Sequence, residues 1–197
     1  DWPLLISAEQ KTTPRLMDSI GALDRVPTDR RVGGPGASYL MAPFTHTSPD
    51  RPSRFSDGRR GVLYIANDFD TAVHETIHHH ALFMAQTDQA PGWTSQFREL
   101  VIAVDAALPD IRGLAAQAVL SPDDYTYAQR FAQAVRGAAG QGIVYPSVRL
   151  PGGECVALFY PDLARNPVQG RHLDYHWDGA RVDLVRDTTN NRVYRVE

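Results

Sequence analysis

At 197 residues, 43% of them hydrophobic, the chain can bury one proper core, and a single domain over residues 1–197 is expected. A net charge of −3 leaves no basic excess for sheathing a phosphate backbone, which argues against nucleic acid as a direct partner. One cysteine, Cys155, excludes an intramolecular disulfide, and no apolar run is long enough to span a bilayer, so no membrane partner and a reducing cytoplasm are expected.

Residues 14–25 (PRLMDSIGALDR) predict a helix with proline in its first turn, followed by the Gly/Pro-rich loop VPTDRRVGGPGAS. GGPG (33–36) lacks the spacing of a P-loop. SYLMAPF (38–44) reads as a short strand and THTSPDRPSRFSDGRR as a long loop, of the kind that often carries function. GVLYIA (61–66) predicts a strand, and Asp68 or Asp70 can cap a helix over roughly 71–86. RELVIAVDA (98–106) predicts another strand. SPDDYTYAQRFAQAVRGAAG predicts a helix capped by Ser121. GIVYPSVRL and ECVALFY, joined by PGG, read as a hairpin, and RVDLVRD-TTNN-RVYRVE as a second one. RHLDYHW (171–177) reads as a surface loop or edge strand. This order favours an α+β fold with a mixed, largely antiparallel central sheet and flanking helices, not a regular βαβ series.

Residues 73–80, VHETIHHH, contain His74-Glu75-Thr76-Ile77-His78, the H-E-x-x-H pattern of zinc peptidases. His74 and His78 would share a helix face, but a catalytic zinc needs a third protein ligand. Glu99 follows His78 by 21 residues, yet it opens an expected strand beyond Pro91-Gly92. Zinc peptidase chemistry through His74, Glu75 and His78 is therefore the alternative reading. The preferred expectation is that no metal is bound and that the four histidines are half-exposed helix residues.

SRFSDGRRGVLYIANDFDTAVHE sets out an arginine, a strand tyrosine and a helical glutamate, and GIVYPSVR later places a serine on a strand just after a helix. In order and spacing, across roughly residues 37–160, this resembles the RES-domain family, named for its Arg, Glu and Ser. The resemblance implies a toxin of a bacterial toxin–antitoxin pair, a fold similar to diphtheria-toxin-like ADP-ribosyltransferases, and NAD consumed as substrate. It implies a cognate antitoxin as partner, and it allows a protein target of ADP-ribosylation. Residue by residue, it sets the family arginine at Arg54, the tyrosine at Tyr64, the glutamate at Glu75 and the serine at Ser147. Many members carry a further arginine directly after a strand tyrosine, but here Tyr39 is followed by Leu40. Arg31 is the candidate substitute, with Arg30 close behind.

Chemistry supports these roles independently. Breaking the nicotinamide–ribose bond passes through an oxocarbenium-like state, which a carboxylate such as Glu75 can stabilise. Arginine grips pyrophosphate in a bidentate manner, the expected role of Arg54 and Arg31. Tyr64 offers a flat face for nicotinamide, and Ser147 a hydroxyl to position ribose or Glu75. The expected catalytic residues are Glu75, Arg54 and Ser147; Arg31, Arg54, Tyr64 and Ser147 are expected to hold NAD. The acceptor stays open among protein side chain, phosphate and water. Cys155 is expected to be a buried thiol, not a nucleophile. The arginines at 51, 54, 59 and 60 form a plausible landing surface for an acidic antitoxin segment.

Overall fold

Antiparallel pairing joins all the named strands, and it divides them between two sheets where a single central sheet was expected. The computed structural model describes residues 21–114 and 116–196. The first sheet has the order β1 (Leu63–Ala66), β4 (Glu154–Leu158), β3 (Gly142–Pro146). The second runs β2 (Trp93–Val104), β5 (Ala164–Trp177), β6 (Val182–Asp187), β7 (Arg192–Arg195). Three α-helices are described: α1 (Ala37–Thr45), α2 (Phe69–Met84) and α3 (Thr126–Gly137). The mixed character reduces to one isolated parallel bridge, Asp110 with Val144. None of the described helices is long and apolar enough to cross a membrane.

Register explains how the first sheet divides its two faces. Ala66 and Tyr145 both sit opposite Cys155, while Tyr64 and Ile143 sit opposite Ala157. Side chains alternate along a strand, so these six residues share one face. That face packs with Phe55 and with α3, whose Ala128 and Ala132 are small enough to permit close approach. Leu63 and Leu158 occupy the other face and pack against Leu40, Met41 and Phe44 of α1.

Residues 38–44, expected as a strand, therefore lie in helix α1. The apolar run satisfies a helical face: Leu40, Met41 and Phe44 are buried on one side, with Thr45 beside them. Pro43 inside α1 forfeits one backbone hydrogen bond, and packing outweighs that loss. Gly61 passes so close that an added Cβ would lie 2.3 Å from the Phe44 Cα and 2.4 Å from the Pro43 carbonyl.

The second sheet corrects another expectation. Residues 171–177 form neither a loop nor an edge; they belong to β5, an interior strand between β2 and β6. Leu173, Tyr175 and Trp177 alternate inward and are buried together with Val182 and Val185. Helix α2 covers them with Val73, Ile77, Ala81 and Met84. Burying a side chain like Tyr175, 1% exposed, stabilises the fold by about 2 kcal/mol.

The helix ends show which sequence signals act. α2 is capped by Asp68, whose Oδ1 accepts from the Thr71 N–H at 2.8 Å and whose Oδ2 accepts from the Thr71 hydroxyl at 2.8 Å. These bonds, the backbone one first, hold the Asp68 carboxyl below its usual pKa. A depressed pKa stabilises the fold above the unfolded value, and that contribution is lost as pH falls through the folded value. Asp68→Ala is expected to cost about 1 kcal/mol at neutral pH. The difference from wild type should shrink below about pH 4 in urea titrations; a pH-independent loss would contradict capping by the ionised carboxylate.

Ser121 does not cap α3, which begins five residues later at Thr126. Its hydroxyl instead accepts from the Asp124 N–H within the preceding turn, and Asp124 accepts from the Thr126 N–H. The expected helix over 14–25 falls largely outside the described residues; its described end is one 3-10 turn, Leu23–Arg25. Both expected hairpins form, as β3–β4 and β6–β7.

Candidate active site

Helix α2 presents residues every three or four positions toward the inner face of the first sheet: Ala72, Glu75, Thr76, His79, His80 and Phe83. Between them lies a cavity of about 370 Å³, whose other walls are Ser53, Arg54, Tyr64, Tyr145, Cys155 and Phe97. A second space of about 400 Å³ shares Tyr64, Ala72, Thr76 and Phe97 with it and continues between β1 and β2. The two form one cleft between the sheets.

Glu75 is held from one side. Ser147, just past β3, donates its hydroxyl to Glu75 Oε1 at 2.6 Å. The Ser147 oxygen itself accepts from the Arg149 and Leu150 backbone N–H groups at 3.1 and 3.0 Å. With both lone pairs occupied, its proton is directed at the carboxylate. The Cys155 thiol lies 3.9 Å from the same Oε1. Oε2 has no hydrogen-bond partner among the described residues. Close packing keeps the 147–153 turn against α2: a Cβ on Gly153 would lie 2.6 Å from Oγ1 of the fully buried Thr71.

Tyr64 anchors the loop before β1. Its hydroxyl accepts from the Phe55 N–H and pairs with the Ser53 hydroxyl, both at 2.9 Å, while the residue lines the cavity. Burial of the hydroxyl pushes its pKa up to about 12, so it stays a neutral phenol.

Arg54 is buried rather than a solvated loop cation. Its Nη1 donates to the carbonyls of Val119 and Ser121 at 3.2 and 2.7 Å, and its guanidinium carbon lies 4.8 Å from the Tyr125 ring centre. The group ties the 119–125 segment to the cavity wall. Nε and Nη2 have no partner among the described residues and remain open to a ligand.

Arg54, Tyr64, Glu75 and Ser147 thus come together, and Arg31 does not join them. Arg31 Nε donates to the Val26 carbonyl at 2.9 Å, outside the cavity lining. Arg30 pairs with Asp162 at 3.0 Å and stacks on Tyr160. Residues that the sequence reading had not placed at the site are His79, His80, Phe83, Phe97 and Tyr145. The first three follow from Glu75 by helical spacing; Phe97 and Tyr145 arrive through strand pairing that no local pattern reveals. His80 meets Phe97 edge-on at 4.9 Å, and burial lowers its pKa.

The residues of the H-E-x-x-H pattern diverge. His74 Nδ1 meets the Asp70 carbonyl on the exposed side of α2, and His78 packs its ring against His79. Glu99 accepts from the Arg171 N–H at 3.0 Å. Among the described residues, no three His, Cys, Asp or Glu side chains gather as a metal site requires.

Cys155 is 3% exposed, and burial, followed by the Glu75 charge, pushes its thiol up to about 12. At pH 8 its reaction with a disulfide reagent should be at least about a hundredfold slower in native than in denatured protein. Equal rates would show an accessible thiolate.

Among known proteins, a profile of the RES domain matches residues 28–178 of the chain. The uncharacterized protein y4oC of Sinorhizobium fredii is 29% identical over 182 residues, covering 92% of this chain and 74% of that protein.

Proposed function

Because the chain belongs to the RES-domain family, whose members are toxins of toxin–antitoxin pairs, we propose that it binds NAD in the cleft around Glu75 and cleaves the nicotinamide–ribose bond. One observation carries the reading: a carboxylate with one oxygen fixed by Ser147 and the other open to an aromatic-lined cavity. Oε2 is free to accept from a ribose hydroxyl, and the carboxylate charge faces the cation that develops at C1′. As the C1′–N bond breaks, its electron pair passes to the nicotinamide ring nitrogen, which leaves as neutral nicotinamide. The acceptor atom then bonds to C1′, and where that atom carries a proton, as in water, the proton passes to solvent or to a nearby base.

Tyr64, Tyr145 and Phe97 provide flat apolar surfaces for the nicotinamide, and the neutral Tyr64 phenol does not compete with Glu75 for positive charge. The open donors of Arg54 suit the pyrophosphate, and the continuation of the cleft between β1 and β2 has room for the second nucleoside. The acceptor is a protein side chain, phosphate or water. A cognate antitoxin that covers the cleft is the simplest restraint on such an enzyme. The exposed Arg51, Arg59 and Arg60 lie on the loop that carries Arg54 and suit an acidic covering segment.

A crystal structure of the Glu75→Gln variant with NAD tests the assignment. The ribose attached to nicotinamide should sit beside residue 75, with a phosphate near Arg54. NAD bound elsewhere, with residue 75 facing solvent, would overturn it. The zinc peptidase alternative requires about one tightly held zinc and activity lost on chelation; elemental analysis should find no such zinc, and activity should survive a chelator.

A further inference from the structure

A second cleft of about 350 Å³, sharing no lining residue with the Glu75 cavity, is walled by three arginines, Arg25, Arg60 and Arg136, with no carboxylate among its lining residues. Its floor is apolar and aromatic, with Phe44, Phe159 and Tyr160. Arg136 lies over the Phe159 ring at 3.7 Å and donates to the Gly61 carbonyl at 3.0 Å, so its guanidinium is held in one place. Arg25 is fixed by donation to the carbonyl and hydroxyl of Thr47. Arg60, exposed, has no side-chain partner among the described residues. Asp162, next in sequence to the lining residue Pro161, is already engaged by Arg30 at 3.0 Å, with Arg30 stacked 4.1 Å from the Tyr160 ring centre.

Three like charges around one cavity repel one another, and an anion would relieve that repulsion. Arg25 and Arg136 are held in place, and their remaining N–H donors, with those of Arg60, favour an oxyanion that can accept several N–H bonds at once, which is the geometry of phosphate. The aromatic floor beside them favours a flat body attached to that anion. We propose that this cleft binds a phosphate monoester, free or carried on a nucleoside, at a site separate from the Glu75 cavity. The site is independent of NAD cleavage, and its failure would leave that reading untouched.

Site-resolved NMR of the isotope-labelled full chain tests it, with inorganic phosphate, AMP and adenosine as probes. Phosphate and AMP should shift the backbone amides of Gly61 and Tyr160, and adenosine should leave them in place. Tighter binding of AMP than of phosphate identifies the nucleotide as ligand, and equal binding identifies free phosphate. Arg60→Glu should weaken either probe at these amides by about tenfold or more. Because the Arg60 side chain bonds nothing among the described residues, the variant should fold, and its amide spectrum provides the check. Raised salt should weaken binding as well. Shifts confined to the Arg149 and Leu150 amides beside Glu75, adenosine binding as well as AMP, or indifference to Arg60→Glu would each overturn the site.

Discussion

Glu75→Gln is expected to lower the rate of nicotinamide release from NAD by about a hundredfold or more, with the protein remaining folded and still binding NAD. The side chain keeps its shape, so the Ser147 hydroxyl, 2.6 Å from Oε1, still finds an oxygen acceptor. What disappears is the negative charge facing the ribose as the bond breaks. Removing one group that stabilises developing charge typically costs a factor of about 10² to 10³. The loss should appear in kcat, with KM for NAD changed little, because the missing interaction belongs to the transition state. An unchanged kcat would remove Glu75 from the chemistry. Ser147→Ala should act in the same direction but less strongly, because Cys155 still packs 3.9 Å from the same oxygen.

Arg54→Ala is expected to reduce stability by about 3 kcal/mol and to raise KM for NAD as well. The side chain is buried, and its Nη1 bridges the carbonyls of Val119 and Ser121. Truncation strips both carbonyls of a charged donor and leaves a void beside Tyr125. Arg54→Lys keeps the charge but cannot bridge two carbonyls while also presenting further donors to a ligand, so it should restore only part of the loss. Urea unfolding measures the stability and NAD saturation curves the KM. Stability within about 0.5 kcal/mol of wild type would show that the guanidinium does not hold the 119–125 segment.

Both predictions concern residues that were legible in the sequence, and the reason is local. Glu75 follows its helix cap, Asp68, at a fixed distance, Tyr64 lies on the strand immediately before, and Ser147 directly follows a strand that ends at Pro146 before a glycine turn. Short-range signals of this kind survive without knowledge of the tertiary fold. Arg54 reads as a site residue from the same local pattern, but its burial and its hold on a segment some 65 residues later depend on tertiary packing. Arg31 shows the limit of reasoning by substitution: a loop position near the missing arginine at Leu40 suggested it, yet its Nε is committed to Val26.

Two errors of secondary structure have a shared cause. SYLMAPF has too few polar residues for period 2 to be told from period 3.6, and the contact of α1 with Leu63 and Leu158 decides the matter. The long strand β5 opens with Ala164-Arg165-Asn166-Pro167, which carries a proline and an asparagine at φ 51°, both turn signals locally. Its pairing with β2 on one side and β6 on the other overrides them.

Incubating the purified protein with NAD and following free nicotinamide by chromatography tests the central claim most directly. Inorganic phosphate should be supplied in one reaction and a cell extract, as a source of protein acceptors, in another. The account predicts nicotinamide release in at least one reaction, abolished by Glu75→Gln and indifferent to chelators. Intact NAD under every condition, or release that the Glu75→Gln variant sustains at the wild-type rate, would contradict it.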